Sequence, residues 1–229
     1  MKTDATHTTD VTRTTDAART TDVPGSRAAA PITARALAVE GAFVFTPQVH
    51  RDERGIFTSP LQGEDFARTV GHPLPVVQTN HNRSARGVLR GIHFTTTPPG
   101  QAKYVHCAAG RAQDFVVDLR WGSPTFGVWD TVAMDTVSFR SIYLPVGVGH
   151  AFVALEDDTV MSYLVSSPYR PGLEQSLDPF DAELALPWPK GFALTLSERD
   201  RHAVSLAEAR GRGMLPRYED CLEVTAGYA

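Results

Sequence analysis

A histidine, a lysine and a tyrosine stand out in this chain, each on or beside a short segment rich in strand-forming residues. His93 closes Arg90-Gly91-Ile92-His93, and Lys103 closes Pro98-Pro99-Gly100-Gln101-Ala102-Lys103. Tyr163 follows the segment Leu144-Pro145-Val146-Gly147-Val148-Gly149-His150. These three types are what is needed to take a proton from carbon beside a carbonyl and to return one. The base must have a pKa near neutrality, which imidazole provides. The enolate oxygen that develops needs a fixed positive group, and a lysine ammonium serves. Inversion needs a proton donor on the opposite face, where a tyrosine hydroxyl can act. No redox step occurs, so no nicotinamide is required, and the chain has no Gly-x-Gly-x-x-Gly after a strand. Plainer roles exist for each: a solvated lysine, a tyrosine of a β core, and isolated structural histidines at 93 and 150.

The elements that must position these groups read as short strands. Phe43-Val44-Phe45, Val76-Val77, and residues 102–108, 114–119, 131–134, 141–144, 151–155 and 160–165 are rich in Val, Tyr and Phe, with Gly, Pro and Asp between them. About eight such strands without long helices between them predict an all-β sandwich or jelly roll. Helix is expected only near 63–70 and, more clearly, over 197–212. The latter opens on Ser197-Glu198-Arg199-Asp200, a capping-box pattern, and ends at Gly211 and Gly213. Residues 1–32 differ from the rest: Thr-Thr-Asp recurs at 8–10, 14–16 and 20–22, with almost no large aliphatic side chain before Ile32. Such a segment cannot offset its ordering entropy by burial and is expected to be a disordered tail. Residues 33–229 are expected to form one domain, with a helical C-terminal extension from about 197.

Composition narrows the partners. At 229 residues with 42% hydrophobic content, the chain can build one sizeable core. A net charge of -4 with interspersed signs gives no basic stripe, which speaks against nucleic acid. No apolar run approaches the roughly 20 residues of a membrane span, and no signal-peptide core opens the chain. Two cysteines, Cys107 and Cys221, fit free thiols in a reducing compartment, so the cytoplasm is expected.

The Pro145-x-Gly147-x-x-His150 turn resembles the second motif of the cupin superfamily. The first cupin motif would supply a His-x-His pair, but Thr95 stands where the second histidine should be. A metal site takes three or four ligands, so two histidines do not suffice and no metal is expected.

A more specific resemblance rests on several motifs in one order. They are Asp52-Glu53-Arg54-Gly55, Gln78-Thr79-Asn80-His81, Arg86 through His93, Pro98 through Lys103, Asp118-Leu119-Arg120, Ser123-Pro124-Thr125-Phe126-Gly127 and the His150 turn. Over residues 36–210 the chain resembles the dTDP-4-dehydrorhamnose 3,5-epimerase family, metal-free cupins that invert carbons beside the ketone of nucleotide-linked 4-keto-6-deoxy sugars. It looks most like the members of antibiotic deoxysugar pathways, which make L-sugars. The resemblance implies a cupin jelly roll, a homodimer, no cofactor, and epimerisation at C5, with or without C3. It casts His93 as the base, Lys103 as the enolate-stabilising cation, Tyr163 as the proton donor and Asp200 as the carboxylate that orients His93. Asp200 could instead serve only the helix cap. By the same matching, Arg90 and His150 lie near the diphosphate and sugar, while Gln78, Asn80, Tyr169 and Glu174 belong to the substrate site. Arg54 and Phe57 would reach in from a second subunit, although Arg54 could equally belong to a tight turn held by Asp52.

Four departures alter the pocket wall. The family's His-Tyr-Gln reads His93-Phe94-Thr95, the lysine after the tyrosine is Leu164, and a Trp-x-Asp-Pro segment is Leu177-Asp178-Pro179-Phe180-Asp181. An aromatic near the nucleotide base is His50. The sugar's substituents and the choice of centre are therefore open. The rival readings are a 3-epimerase or 3,4-ketoisomerase on the same scaffold, and a non-catalytic sugar-nucleotide-binding cupin.

Overall fold

A computed structural model describes residues 32–229; the expected tail over 1–31 lies outside the described residues. A six-stranded sheet has the order β1 (Thr33–Ala36), β2 (Phe43–Thr46), β10 (Ser141–Leu144), β7 (Lys103–Ala109), β12 (Thr159–Val165), β5 (Gln78–Ser84). A five-stranded sheet has the order β13 (Glu174–Ser176), β6 (Leu89–Thr95), β11 (Val148–Ala154), β8 (Arg111–Asp118), β9 (Trp129–Asp135). All pairings are antiparallel, and sequence neighbours are interleaved between the two sheets, giving the cupin jelly roll. A separate hairpin, β3 (Val49–Asp52) with β4 (Gly55–Thr58), pairs with neither sheet.

The core lies between the sheets. Val44, Val105, Ile142 and Met161 from the larger sheet meet Val116, Val132, Met134 and Phe152 from the smaller. Outer faces are covered as well. Phe66 of α1 (Gly63–Val70) and Cys221 of α4 (Tyr218–Ala226) pack on Phe45, Tyr104 and Tyr143 of the larger sheet. Leu177, Leu184, Leu206 and Leu215 of the C-terminal wrap cover Ile92, Phe94, Phe115 and Val117 of the smaller. Ile32, read as the end of the tail, belongs to the fold: it is buried in the Phe45–Phe66 cluster, and its N–H donates to Asp65 Oδ2 at 3.1 Å. Among the described residues, no helix is long and apolar enough to cross a membrane.

Helix α1 lies where expected, but the single helix expected over 197–212 is two. α2 (Glu198–Arg201) and α3 (Leu206–Gly211) are separated at Val204, which bridges to Leu177, and the N–H of Asp178 donates to Val204 O at 2.9 Å. Ser205 then caps α3, its hydroxyl accepting from Glu208 N at 3.1 Å. The tertiary bridge and the second cap override helical periodicity. The expected strand at Val76-Val77 is likewise displaced: both residues are exposed and β5 begins at Gln78.

Candidate active site

Alternation along the strands turns polar side chains inward at one end of the roll. The larger sheet contributes Asn80 and Asn82 from β5, Lys103 from β7 and Tyr163 from β12; Asn80 and Val105 flank Tyr163 in register. From the smaller sheet come Arg90 and His93 on β6, His150 on β11 and Glu174 on β13. His93 and His150 sit directly opposite each other on paired strands. These side chains, with Gln101, Phe152, Val165 and Tyr169, line a cleft of about 220 Å³.

Two glycines let the backbone bring them there. Gly91 has φ 120°, and a Cβ on it would lie 2.5 Å from both His150 O and Ala151 Cβ. Only glycine allows β6 to approach β11 so closely. Gly147 has φ 83° in the turn closed by Val148 N–H to Pro145 O at 3.2 Å, which launches β11 toward His150.

His93 is backed by Asp200, with Nε2 to Oδ1 at 2.7 Å. The carboxylate is 2% exposed and the imidazole 30%. A carboxylate only accepts, so Nε2 carries the hydrogen and Nδ1 is left as a proton acceptor. Burial pushes the His93 imidazole below its ordinary pKa, against the pull of Asp200, and the charges of Arg199 and Lys103 add to the lowering. Burial works to raise the Asp200 carboxyl, but hydrogen bonding and charge from His93 outweigh it and hold the group low. The Asp200 N–H donates to Ser197 Oγ at 3.1 Å as a cap contact, while its carboxylate pairs with His93. Ser176, opposite His93 in β13, also donates to Asp200 Oδ1 at 3.4 Å.

Lys103 is 7% exposed, and among the described residues its ammonium makes no hydrogen bond. Burial pushes its pKa down, Glu174 opposes this and Arg199 adds to it. Glu174 is held by Thr95, whose hydroxyl donates to Oε1 at 3.1 Å. The Tyr163 phenol is raised by burial, with Asn82 opposing through a 3.3 Å hydrogen bond from Nδ2. Its ring stands edge-on to His150, with centroids 5.7 Å apart.

A second buried imidazole–carboxylate pair lies deeper. His150 Nε2 is 2.8 Å from Asp114 Oδ2, and burial raises the Asp114 carboxyl even against His150. Sequence reasoning missed Asp114, as it missed Asn82, Gln101 and Phe152. Gln78 stands behind the lining: Nε2 donates to Asn80 Oδ1 at 2.6 Å, and Oε1 accepts from Tyr169 N at 3.0 Å. Arg90 Nε donates to Ser84 Oγ at 3.1 Å.

Arg54 and Phe57 do not line this cleft. They sit on the β3–β4 hairpin, where Arg54 N donates to Asp52 Oδ1 at 2.8 Å and its guanidinium pairs with the same carboxylate. The turn reading of Arg54 therefore holds within the chain. Its side chain is 85% exposed, and Phe57 is 68% exposed.

A geometry for proton transfer on a cupin jelly roll is what these residues define: a carboxylate-backed imidazole on one sheet, a phenol on the other, and a buried ammonium in the same cleft. The profile of the dTDP-4-dehydrorhamnose 3,5-epimerase family matches residues 36–208. A dTDP-4-dehydrorhamnose 3-epimerase of Streptomyces niveus is 48% identical over 191 residues, covering 83% of this chain and 92% of that one. A dTDP-4-dehydrorhamnose 3,5-epimerase of Mycolicibacterium smegmatis is 48% identical over 190 residues, covering 83% and 94%. The crystal structure of a 3'-monoepimerase of Streptomyces bikiniensis in complex with dTDP-quinovose superposes with a TM-score of 0.80 at 45% identity, covering 84% and 97%. The chain belongs to the dTDP-4-dehydrorhamnose 3,5-epimerase family, and it is an isomerase.

Proposed function

We propose that this chain epimerises a dTDP-4-keto-6-deoxyhexose at C5, with or without C3, in the making of an L-deoxysugar. The observation that carries the reading is that His93 and Tyr163 enter one cleft from opposite sheets. A sugar ring between them offers one face to a base and the other to an acid. His93 Nδ1 takes the carbon-bound proton, and the electron pair moves onto the C4 oxygen as an enolate beside the Lys103 ammonium. Carbon regains a proton from the Tyr163 hydroxyl on the far face. Solvent reprotonates the phenolate and accepts the proton from His93, so the cycle closes without cofactor or metal. Asp200 fixes the tautomer and orientation of His93.

Binding follows the same geometry. Arg90 suits a diphosphate as a planar fork of donors, with His150 and Glu174 beside the sugar. Gln78, Asn80 and Tyr169 form a hydrogen-bonded shelf at the cleft edge, where the nucleotide would lie. The exposed hairpin is supported as an arm that a homodimer exchanges, placing the partner subunit's Arg54 and the partner subunit's Phe57 on the nucleotide. Free thiols at Cys107 and Cys221 agree with a cytoplasmic enzyme.

A second reading, inversion at C3 alone, is favoured by the S. niveus relative named as a 3-epimerase. Incubation with dTDP-4-keto-6-deoxyglucose in D2O, followed by proton NMR, separates them. Deuterium and inversion at C5 support the first reading, and at C3 only the second. No exchange at either carbon refutes both.

A further inference from the structure

Tyr163 packs, partly buried, against apolar residues of the core, and among the described residues its phenol has one hydrogen-bond partner, Asn82 Nδ2 at 3.3 Å. Asn82 lies two residues from Asn80 on β5, the position paired with Tyr163, and lines the cleft itself. The amide N–H only donates, so this contact occupies a lone pair of the phenol oxygen. The phenol's own hydrogen has no acceptor among the described residues and is free to face the cleft. Arg90, the cation that also favours the phenolate, has its Nε engaged by Ser84. Asn82 also carries an unexplained cost, because its Oδ1 is buried with no hydrogen-bond partner. An unsatisfied buried acceptor destabilises a fold, and an apolar side chain would avoid it. Stability alone does not account for asparagine here.

We propose that Asn82 is a positioning residue for Tyr163: its amide donates to the phenol oxygen, turns the phenolic hydrogen into the cleft and supports the phenolate left when that hydrogen is given to carbon. This rests on the reading of Tyr163 as the acid. A neutral phenol needs the bond little, whereas a phenolate needs it more, because hydrogen bonds to charged groups are the stronger ones. The interaction therefore grows along the reaction, and its loss falls on turnover rather than on substrate binding.

The test compares Asn82→Ala, Asn82→Asp and Tyr163→Phe, following inversion, deuterium wash-in from D2O, KM and Tm. Asn82→Ala should lower kcat for inversion on the order of 10- to 100-fold, the worth of one hydrogen bond to a charged group. KM and wash-in on the His93 face should stay near wild type, and Tm should not fall, since the orphaned Oδ1 leaves with the amide. Asn82→Asp should lose at least as much, because an ionised carboxylate would accept the phenolic hydrogen and could not donate. In Asn82→Ala/Tyr163→Phe the loss should be no greater than in Tyr163→Phe alone. Wild-type inversion in Asn82→Ala or Asn82→Asp, with Tyr163→Phe defective, overturns the inference while leaving Tyr163 as the acid. A parallel drop of Tm, wash-in and inversion in Asn82→Ala overturns it in favour of a packing role. If Tyr163→Phe itself inverts at the wild-type rate, the underlying reading of Tyr163 fails and this inference with it.

Discussion

Replacing Lys103 with methionine, which is similar in length and uncharged, should make the enzyme slower and more stable at once. The ammonium is almost fully buried, has no hydrogen-bond partner among the described residues, and has Glu174 as the nearby anion that favours its charge. Such a charge is expensive to bury, and in the proposed reaction an enolate oxygen forming beside it would put it to use. Two unit charges about 4 Å apart at an effective dielectric near 20 attract by roughly 4 kcal/mol. The loss of one oxyanion donor elsewhere spans about 2.7–4 kcal/mol, or 10²–10³-fold in turnover. Lys103→Met should fall in that range, with exchange at C3 and C5 dropping together where both occur, because one oxygen serves both. Stability moves the other way. Burial lowers the folded-state pKa of Lys103, so between that value and the ordinary 10.5 the unfolded chain binds more protons and stability rises with pH. Lys103→Met removes this penalty: its Tm should exceed that of the wild type at pH 7, by about 2–4 °C for each kcal/mol relieved. The gap should close as pH rises through the folded-state pKa toward 10.5. Wash-in kinetics at saturating substrate and thermal melts across pH 7–11 measure both halves. Unchanged turnover at saturation would refute the oxyanion role, and a lower Tm at pH 7 would refute the buried-charge argument.

Three further outcomes are expected. His93→Asn should reduce wash-in at both carbons by at least about 10²–10⁴-fold, with dTDP binding by calorimetry largely intact; near-normal exchange would place the base elsewhere. Tyr163→Phe should still wash deuterium into substrate on the His93 face while forming much less inverted product, and full epimerisation would make Tyr163 a packing residue. The pH profile of kcat/KM should be bell-shaped. Its acid limb should lie below the ordinary 6.5 of histidine, because burial lowers His93, and activity requires its neutral form. Its alkaline limb should lie below 10.5, where the lowered Lys103 loses its charge; an acid limb above 6.5 would contradict the burial of His93.

The parts of the site that were legible in the sequence are those whose chemistry and turns lie close together in the chain. His93, Lys103 and Tyr163 stood out in short motifs and Asp200 followed from the family resemblance; the structure gathers them around one cleft with Asp200 behind His93. Asp114 was not found, for a physical reason. Both faces of β8 are covered, so Ala112, Asp114 and Val116 turn inward while Phe115 and Val117 are buried on the other side. Period-two alternation is then flat, and an aspartate in such a strand is not marked as facing a site. Asn82 escaped because the fact that matters is its cross-strand placement against β12, with Tyr163 81 positions further along the chain. The β3–β4 hairpin escaped because its residues, Val49 through Thr58, are mostly polar and exposed and bury no face in this chain. The break at Val204 was set by a bridge to Leu177, which no local pattern encodes.

Asp200 rides on a helix of only four residues, and that helix meets the roll through a few polar contacts, Asp200 with His93 and Ser176 and Arg199 with Ser176 and Gln175. The proton affinity of His93 is thus conditional on a piece of structure that forms none of the cleft's own walls. Short peripheral elements open more readily than the strands they cover. Whenever α2 lifts, the imidazole loses the acceptor that fixes its tautomer, while Lys103 and Tyr163 remain seated on their strands. Measured turnover would then be the intrinsic rate multiplied by the fraction of molecules with α2 docked. Substitutions at Ser197, Leu206 or Leu215, none of them in the cleft, would act on that fraction and scale activity without altering affinity for the nucleotide.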